Sequence, residues 1–155
     1  MRCVIQRVSE AECMIVGDDG TQRSSGRIGQ GFVVLVATSE EDSVEDIDWL
    51  TGKIVNLRVM PDDSGVMNRS IMDTEGEILV VSQFTLWASY KKGNRPSYLR
   101  AGNPVVTRGL YEQFCATLET KLGKAIHTGE FGADMKVSLT NDGPVTICMD
   151  TKNRE

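Results

Sequence analysis

Three polar residues interrupt the most strand-like run in the chain. Residues 77–88 read EILVVSQFTLWA. Read as one strand, Ile78, Val80, Ser82, Phe84 and Leu86 share a face, and Leu79, Val81, Gln83, Thr85 and Trp87 share the other. Both faces begin apolar, which predicts a central strand. Ser82, Gln83 and Thr85 then need partners, because a buried polar group without one costs about 1–3 kcal/mol. Two readings follow. Either these side chains bond to neighbouring backbone, or the strand breaks into a polar pocket at its C-terminal end. In the second, Ser82 and Thr85 position a substrate, and backbone N–H groups near Gln83 and Phe84 receive a developing oxyanion.

Two other segments carry possible chemistry. Asn141-Asp142-Gly143-Pro144 lies between two expected strands and has the composition of a tight turn. Its X–Pro peptide is trans by default. Lys91, Lys92, Arg95 and Arg100 concentrate positive charge in the stretch SYKKGNRPSYLR. That is either a solvated loop or a contact for a phosphate backbone. The familiar catalytic motifs are missing: the chain has no Walker loop, no dinucleotide fingerprint around Gly26, Gly29 and Gly31, and no G-x-S-x-G elbow. Its one histidine, His127, falls in an expected strand and reads as a surface or packing residue. Cys3, Cys13, Cys115 and Cys148 form no C-x-x-C pair and lie far from His127 in sequence, so no metal site and no cofactor are expected. The cysteines read as reduced, mostly buried hydrophobes.

The elements that must position these residues follow from periodicity. Residues 2–8, 13–16 and 31–37 read as strands, the last (GFVVLVA) buried on both faces. The stretch 17–20 is a turn, and 21–30 an exposed hairpin or loop. Asp42 is a candidate N-cap, with Glu45 as its capping-box partner, for an amphipathic helix over 43–58 carrying Ile47, Leu50, Ile54 and Leu57. Pro61–Gly65 is a loop. Asn103 and Pro104 open a second helix, Leu110, Phe114, Leu118 and Leu122 give its apolar stripe, and Gly123 closes it. Strands near 125–128, 135–140 and 145–149 complete the chain. The order β-β-β-α-β-α-β-β-β predicts an α+β fold: mainly antiparallel sheets forming a barrel-like core with two main helices. One domain over residues 1–150 and a frayed tail, 151–155, account for the length.

Composition bounds the function. Of 155 residues, 40% are hydrophobic and 25% charged, the balance of a folded protein rather than a disordered one. No apolar run is long enough to cross a bilayer and the N-terminus carries no signal-peptide core, so a cytoplasmic protein without a membrane partner is expected. With 17 Lys and Arg against 22 Asp and Glu, the charge of −5 gives no global field for nucleic acid. DNA is not an expected partner, and an RNA partner must be met by a local basic patch.

Taken together, MRCVIQRV, GFVVLVA, GEILVVSQFTLWA, KKGNRPSY, TGEFGADMKVSL and NDGPVT resemble the D-aminoacyl-tRNA deacylase family in its bacterial and eukaryotic form. They occur in family order and span nearly all of Met1–Asp150. SQFTL and NDGPVT are specific as a pair. The 17–30 stretch is a few residues longer than is usual, Ala37-Thr38 stands where a Gly-Val type pair is common, and Trp87 stands where tyrosine is frequent. The resemblance implies a homodimeric ester hydrolase that releases D-amino acids, and mischarged glycine, from tRNA as translational proofreading. It implies a cis Gly143-Pro144 peptide, oriented by Arg7, that enters the partner's pocket and excludes L-side chains. It also implies that Ser82, Gln83, Phe84 and Thr85 form the reacting site, and that Phe131, Ala133 and Met135 line the adenosine or aminoacyl pocket. Lys91, Lys92 and Arg95 would meet tRNA phosphates. A mechanism led by backbone donors is favoured over a Thr85 nucleophile, because no activating base lies near Thr85 in sequence. The rivals are an esterase or amidase for small acyl substrates and a non-catalytic RNA-binding module.

Overall fold

The computed structural model describes residues 1–155. Its elements are β1 (Arg2–Val16), β2 (Gln22–Ile28), β3 (Gly31–Ala37), α1 (Val44–Asn56), β4 (Met60–Pro61), β5 (Met67–Arg69), β6 (Glu77–Ser82), α2 (Pro104–Leu122), β7 (His127–Thr128) and β8 (Asp134–Asp150), with 3₁₀ turns at Phe84–Trp87 and Leu99–Ala101. The main sheet runs β2-β1-β3-β6-β7, and β8 joins the other side of β1. β1 is antiparallel to β2, β3 and β8, whereas β3-β6 and β6-β7 are parallel. The α+β class therefore holds and most pairings are antiparallel, as expected, although the two parallel pairs make the sheet mixed rather than purely antiparallel. The parallel pairs follow from connection length: α1 lies between β3 and β6, and α2 between β6 and β7, so each strand returns in the same direction as the last. The sheet curls until β2 approaches β7. A Cβ on Gly26 would lie 2.8 Å from the Cβ of His127, so only glycine permits that approach.

Two apolar layers result. Met1, Cys3, Ile5, Phe32, Val34, Ile78 and Val80 pack on one face against Ile47, Leu50 and Ile54 of α1 and Phe114 and Leu118 of α2. Val8, Ala11, Cys13, Ile15, Val33, Leu79 and Val81 fill the inside of the curl. β3 and β6 are thus buried on both faces, as their continuous apolar runs predict.

The pairs expected at 2–8 and 13–16, and at 135–140 and 145–149, are each one long strand. In β1, Cys3 and Ile5 face the helices while Ala11, Cys13 and Ile15 face the curl, although all are odd-numbered. The register against β8 slips between Val8 and Glu10, and a one-residue slip sends every later side chain to the opposite face. β8 does the same: Val145, Ile147 and Met149 pack toward the helices, Met135, Val137 and Leu139 toward the curl.

Smaller departures have local causes. The N-cap of α1 is Ser43, not Asp42, and Asp46 rather than Glu45 completes the box by accepting Ser43 N–H at 2.8 Å and its hydroxyl at 3.1 Å. Asp42 is spent on the Met1 amine and on Ser39 N–H, 2.7 Å. The 61–65 loop is a turn between β4 and β5. The tail expected to fray is tied at its start: Thr151 is buried and accepts from the Met1 amine at 2.7 Å, and Lys152 pairs with Asp46 at 2.6 Å. α2 has the expected Asn103 cap, whose side chain accepts Val105 N–H, and the Gly123 close. Cys3 and Cys13 are buried, but Cys148 is exposed and Cys115 half-buried.

Candidate active site

The strand of residues 77–88 stops at Ser82. Gln83 N–H donates to Val36 O at 2.8 Å, and the chain then tightens into the 3₁₀ turn Phe84–Trp87. The alternation predicted beyond Ser82 is therefore absent, and Phe84, expected on a buried face, is 56% exposed. The strand breaks at Ser82, as the second reading of the polar interruption expects.

A cleft of about 570 Å³ opens at this break. Ser82, Gln83 and Phe84 form one wall; Phe131, Ala133 and Met135 form another; Tyr98, Gly102, Pro104 and Thr107 close a third. It sits beyond the carboxyl ends of parallel β3 and β6, where α/β sheets commonly place ligands. The structure brings together two segments that sequence reasoning had placed in one site, 82–84 and 131–135. The third wall was missed. The Asn103-Pro104 helix start was its only signal, and it gave no indication of which element the start would face.

Phe84 and Tyr98 meet edge to face, with centroids 5.3 Å apart. Phe131 is held between Tyr111, 5.6 Å away, and the Arg108 guanidinium, 5.4 Å from its ring. Burial pushes the Tyr111 phenol above its ordinary range, and its hydroxyl reaches Val80 O. No histidine, cysteine or lysine lines the cleft. Thr85 does not line it either; its hydroxyl accepts from the Gln83 side-chain amide, which cannot take a proton from it. The Gln83 N–H, expected as an oxyanion donor, is already spent on Val36. Phe84 and Thr85 open the 3₁₀ turn, and the first N–H groups of such a turn have no acceptor within it.

Gly143 and Pro144 do not line their own chain's cleft. The tight turn expected there is instead an excursion within β8: Val8 pairs with Asn141 and Gln6 with Thr146, so residues 142–145 stand opposite Arg7 alone. The Gly143-Pro144 peptide is cis and both residues are exposed. Arg7, 8% exposed, donates to Asp142 O at 3.1 Å and Val59 O at 2.6 Å, and lies 3.3 Å from the Asp142 carboxylate. Asn141 accepts Val145 N–H across the excursion at 3.1 Å. Gly143 has φ +125°, and a Cβ there would fall 2.9 Å from Arg7 Nη2.

Lys91, Lys92 and Arg95 are fully on the surface, in the loop that leads to Tyr98 at the cleft wall. They do not enter the cleft. His127 lies on β7 beside Gly26, outside it. No helix is long and apolar enough to cross a membrane.

A family model described as D-Tyr-tRNA(Tyr) deacylase matches residues 4–150. The chain is 61% identical to a D-aminoacyl-tRNA deacylase of Bacteroides fragilis, covering 100% of both chains. It is 54% identical to one of Flavobacterium johnsoniae, again over 100% of both. Among solved structures it is similar to a c-Myc DNA unwinding element binding protein, at 39% identity and a TM-score of 0.87 over 97% of this chain and 98% of that one. It shares the fold of a probable eukaryotic D-amino acid tRNA deacylase, at 20% identity and a TM-score of 0.78 over 96% and 97%.

Proposed function

The chain belongs to the D-Tyr-tRNA(Tyr) deacylase family, and from that premise we propose that it hydrolyses the ester joining a D-amino acid to the 3′ end of tRNA. The observation that carries the site assignment is the pair of N–H groups, Phe84 and Thr85, that open the 3₁₀ turn beside a cleft lined by no histidine, cysteine or lysine. The ester carbonyl accepts from them, and charge that develops on its oxygen is stabilised by donors already in place. Water adds to the carbonyl carbon, the bond to the ribose 3′ oxygen breaks, and that oxygen leaves with a proton. The neighbouring ribose hydroxyl is positioned by the substrate itself to assist the transfer. Phe131, Ala133 and Met135 bound the space for the terminal adenosine and aminoacyl group; Ser82 and Gln83 orient it.

Handedness is read by Gly143-Pro144 of a second copy. In a homodimer the excursion held by Arg7 enters the partner's cleft, its carbonyls toward the substrate's Cα and amino group. A D-side chain points away from this wall, an L-side chain strikes it, and glycine passes. The exposure of both residues, and their absence from the lining of their own cleft, support an assignment across subunits. Lys91, Lys92 and Arg95 contact tRNA phosphates beside the cleft mouth.

Two experiments test this. Incubated with D-Tyr-tRNA and L-Tyr-tRNA, the protein releases tyrosine from the first and leaves the second intact; equal rates on both would sink the assignment. A triple alanine variant at Lys91, Lys92 and Arg95 lowers the salt slope of tRNA binding by about 0.7–0.9 per lost contact, and an unchanged slope would remove the loop from the interface.

A further inference from the structure

A second hollow, of about 640 Å³, lies across the 3₁₀ turn from the cleft. Phe84, at one end of that turn, lines the cleft, and Leu86, near the other end, lines the hollow. Arg2, Trp49, Lys53 and Arg154 form its walls. The chain is acidic overall, yet most of its cations without a carboxylate within 4.0 Å fall in two adjoining places: Lys91, Lys92, Arg95 and Arg100 in the loop, Lys53 and Arg154 in the hollow. Trp87 joins the two. The Arg100 guanidinium stands 5.1 Å from its ring centroid and that of Arg2 stands 4.4 Å away.

Each cation at the hollow has donors to spare. Arg2 gives Nε to Asp150 at 2.8 Å and Nη1 to Leu86 O at 3.2 Å, leaving Nη2 without a partner. Arg154 gives only Nε, to Thr151 O at 3.0 Å, and its guanidinium lies 4.5 Å from the Trp49 ring. Lys53 Nζ is 5.8 Å from the same ring and has no hydrogen-bond partner in the chain. A guanidinium packed on an indole keeps its N–H edge free, and that edge matches the oxygens of a phosphate. Asp150 is occupied by Arg2, which leaves Glu155, the last residue, as the acidic residue at the rim that opposes an anion.

We propose that this hollow is a second RNA site. It holds a backbone phosphate of the tRNA strand whose 3′ end occupies the cleft, reached by way of the loop cations and the Arg100–Trp87–Arg2 stack. The inference rests on tRNA as the substrate, and it assigns Lys53 and Arg154 to binding rather than to the chemical step.

The test compares wild type with a double variant, Lys53→Ala with Arg154→Ala, and with a charge-keeping pair, Lys53→Arg with Arg154→Lys. Binding of uncharged tRNA is followed by fluorescence anisotropy across a salt series, and hydrolysis of D-tyrosyl-adenosine, an ester with no phosphate, is measured beside that of D-Tyr-tRNA. The alanine pair is expected to lower the binding slope by about 0.7–0.9, the share of one phosphate, and the affinity by about tenfold at moderate salt. It lowers kcat/KM on the tRNA through KM, leaves the nucleoside ester unaffected, and the charge-keeping pair restores binding. An unchanged slope overturns the proposal, as does an equal loss on both esters. A shifted sedimentation coefficient in the alanine pair also overturns it, marking the hollow as a subunit contact. If wild type binds tRNA but cleaves neither ester, the activity assignment fails while the slope still decides the hollow; if it does not bind tRNA, both fall.

Discussion

Thr85 carries the one hydroxyl of the 3₁₀ turn, and its surroundings argue against a covalent role. Activation would need a group that accepts its proton, and its hydrogen-bond partner is the Gln83 amide. Thr85→Ala removes that hydroxyl but leaves the main-chain donors untouched, so deacylation of D-Tyr-tRNA falls by less than about tenfold, whereas loss of a true nucleophile costs several orders of magnitude. Single-turnover measurement on the variant decides this. The residue types of the site were legible in the sequence, because Ser82, Gln83 and Thr85 are misplaced in an apolar run. Which N–H groups are free was not. The Gln83 N–H finishes the β3–β6 ladder on Val36 O, so the donor role we propose for the main chain falls to Phe84 and Thr85. That assignment depends on where the last ladder bond falls, and side-chain pattern does not encode it.

At the scale of elements, the periodic segments were the readable ones. β3, α2 and its two caps follow from apolar spacing, Asn103, Pro104 and Gly123 alone. β1 and β8 were each divided in two because bulges reverse their faces, and a period-two pattern broken by a slip looks like two strands with a loop between them. The cap of α1 moved by one residue because Asp42 has a stronger claim on it elsewhere, the Met1 amine. Asp46, the cap partner instead, is a buried carboxylate. Burial raises its pKa, but Lys152, Ser43 and Thr151 outweigh this and hold it well below the ordinary carboxylate range. A depressed folded-state pKa stabilises the fold in full above the unfolded value of about 3.9, and that stability is lost progressively as pH falls from there through the folded value. Thermal melts should therefore show a drop in Tm on acidification below about pH 4. Asp46→Ala should lower stability at neutral pH by about 1–2 kcal/mol, the usual worth of a helix cap, and flatten that acid limb. A variant with the same acid limb as wild type would show that the dependence comes from other carboxylates.

At the scale of the whole molecule, the proposed site is shared between two copies. β8 pairs with β1 along one edge only, and Gly143 and Pro144 do not line their own cleft. If each active site combines the cleft of one copy with the excursion of the other, then two inactive variants can repair each other. Ala133→Trp fills the cleft and leaves the excursion intact. Gly143→Val spoils the excursion, since a side chain at φ +125° is strained and would meet Arg7 and Val145, but leaves the cleft open. Each homodimer should have lost D-Tyr-tRNA turnover. After the two are unfolded together and refolded in equal amounts, half of a random pool is mixed dimer, and each mixed dimer has one site built from two sound halves. About one quarter of wild-type activity should return, and it should be selective for the D-form. A pool shown by mass to contain mixed dimers, yet without activity, would place cleft and excursion in the same subunit's site or in none.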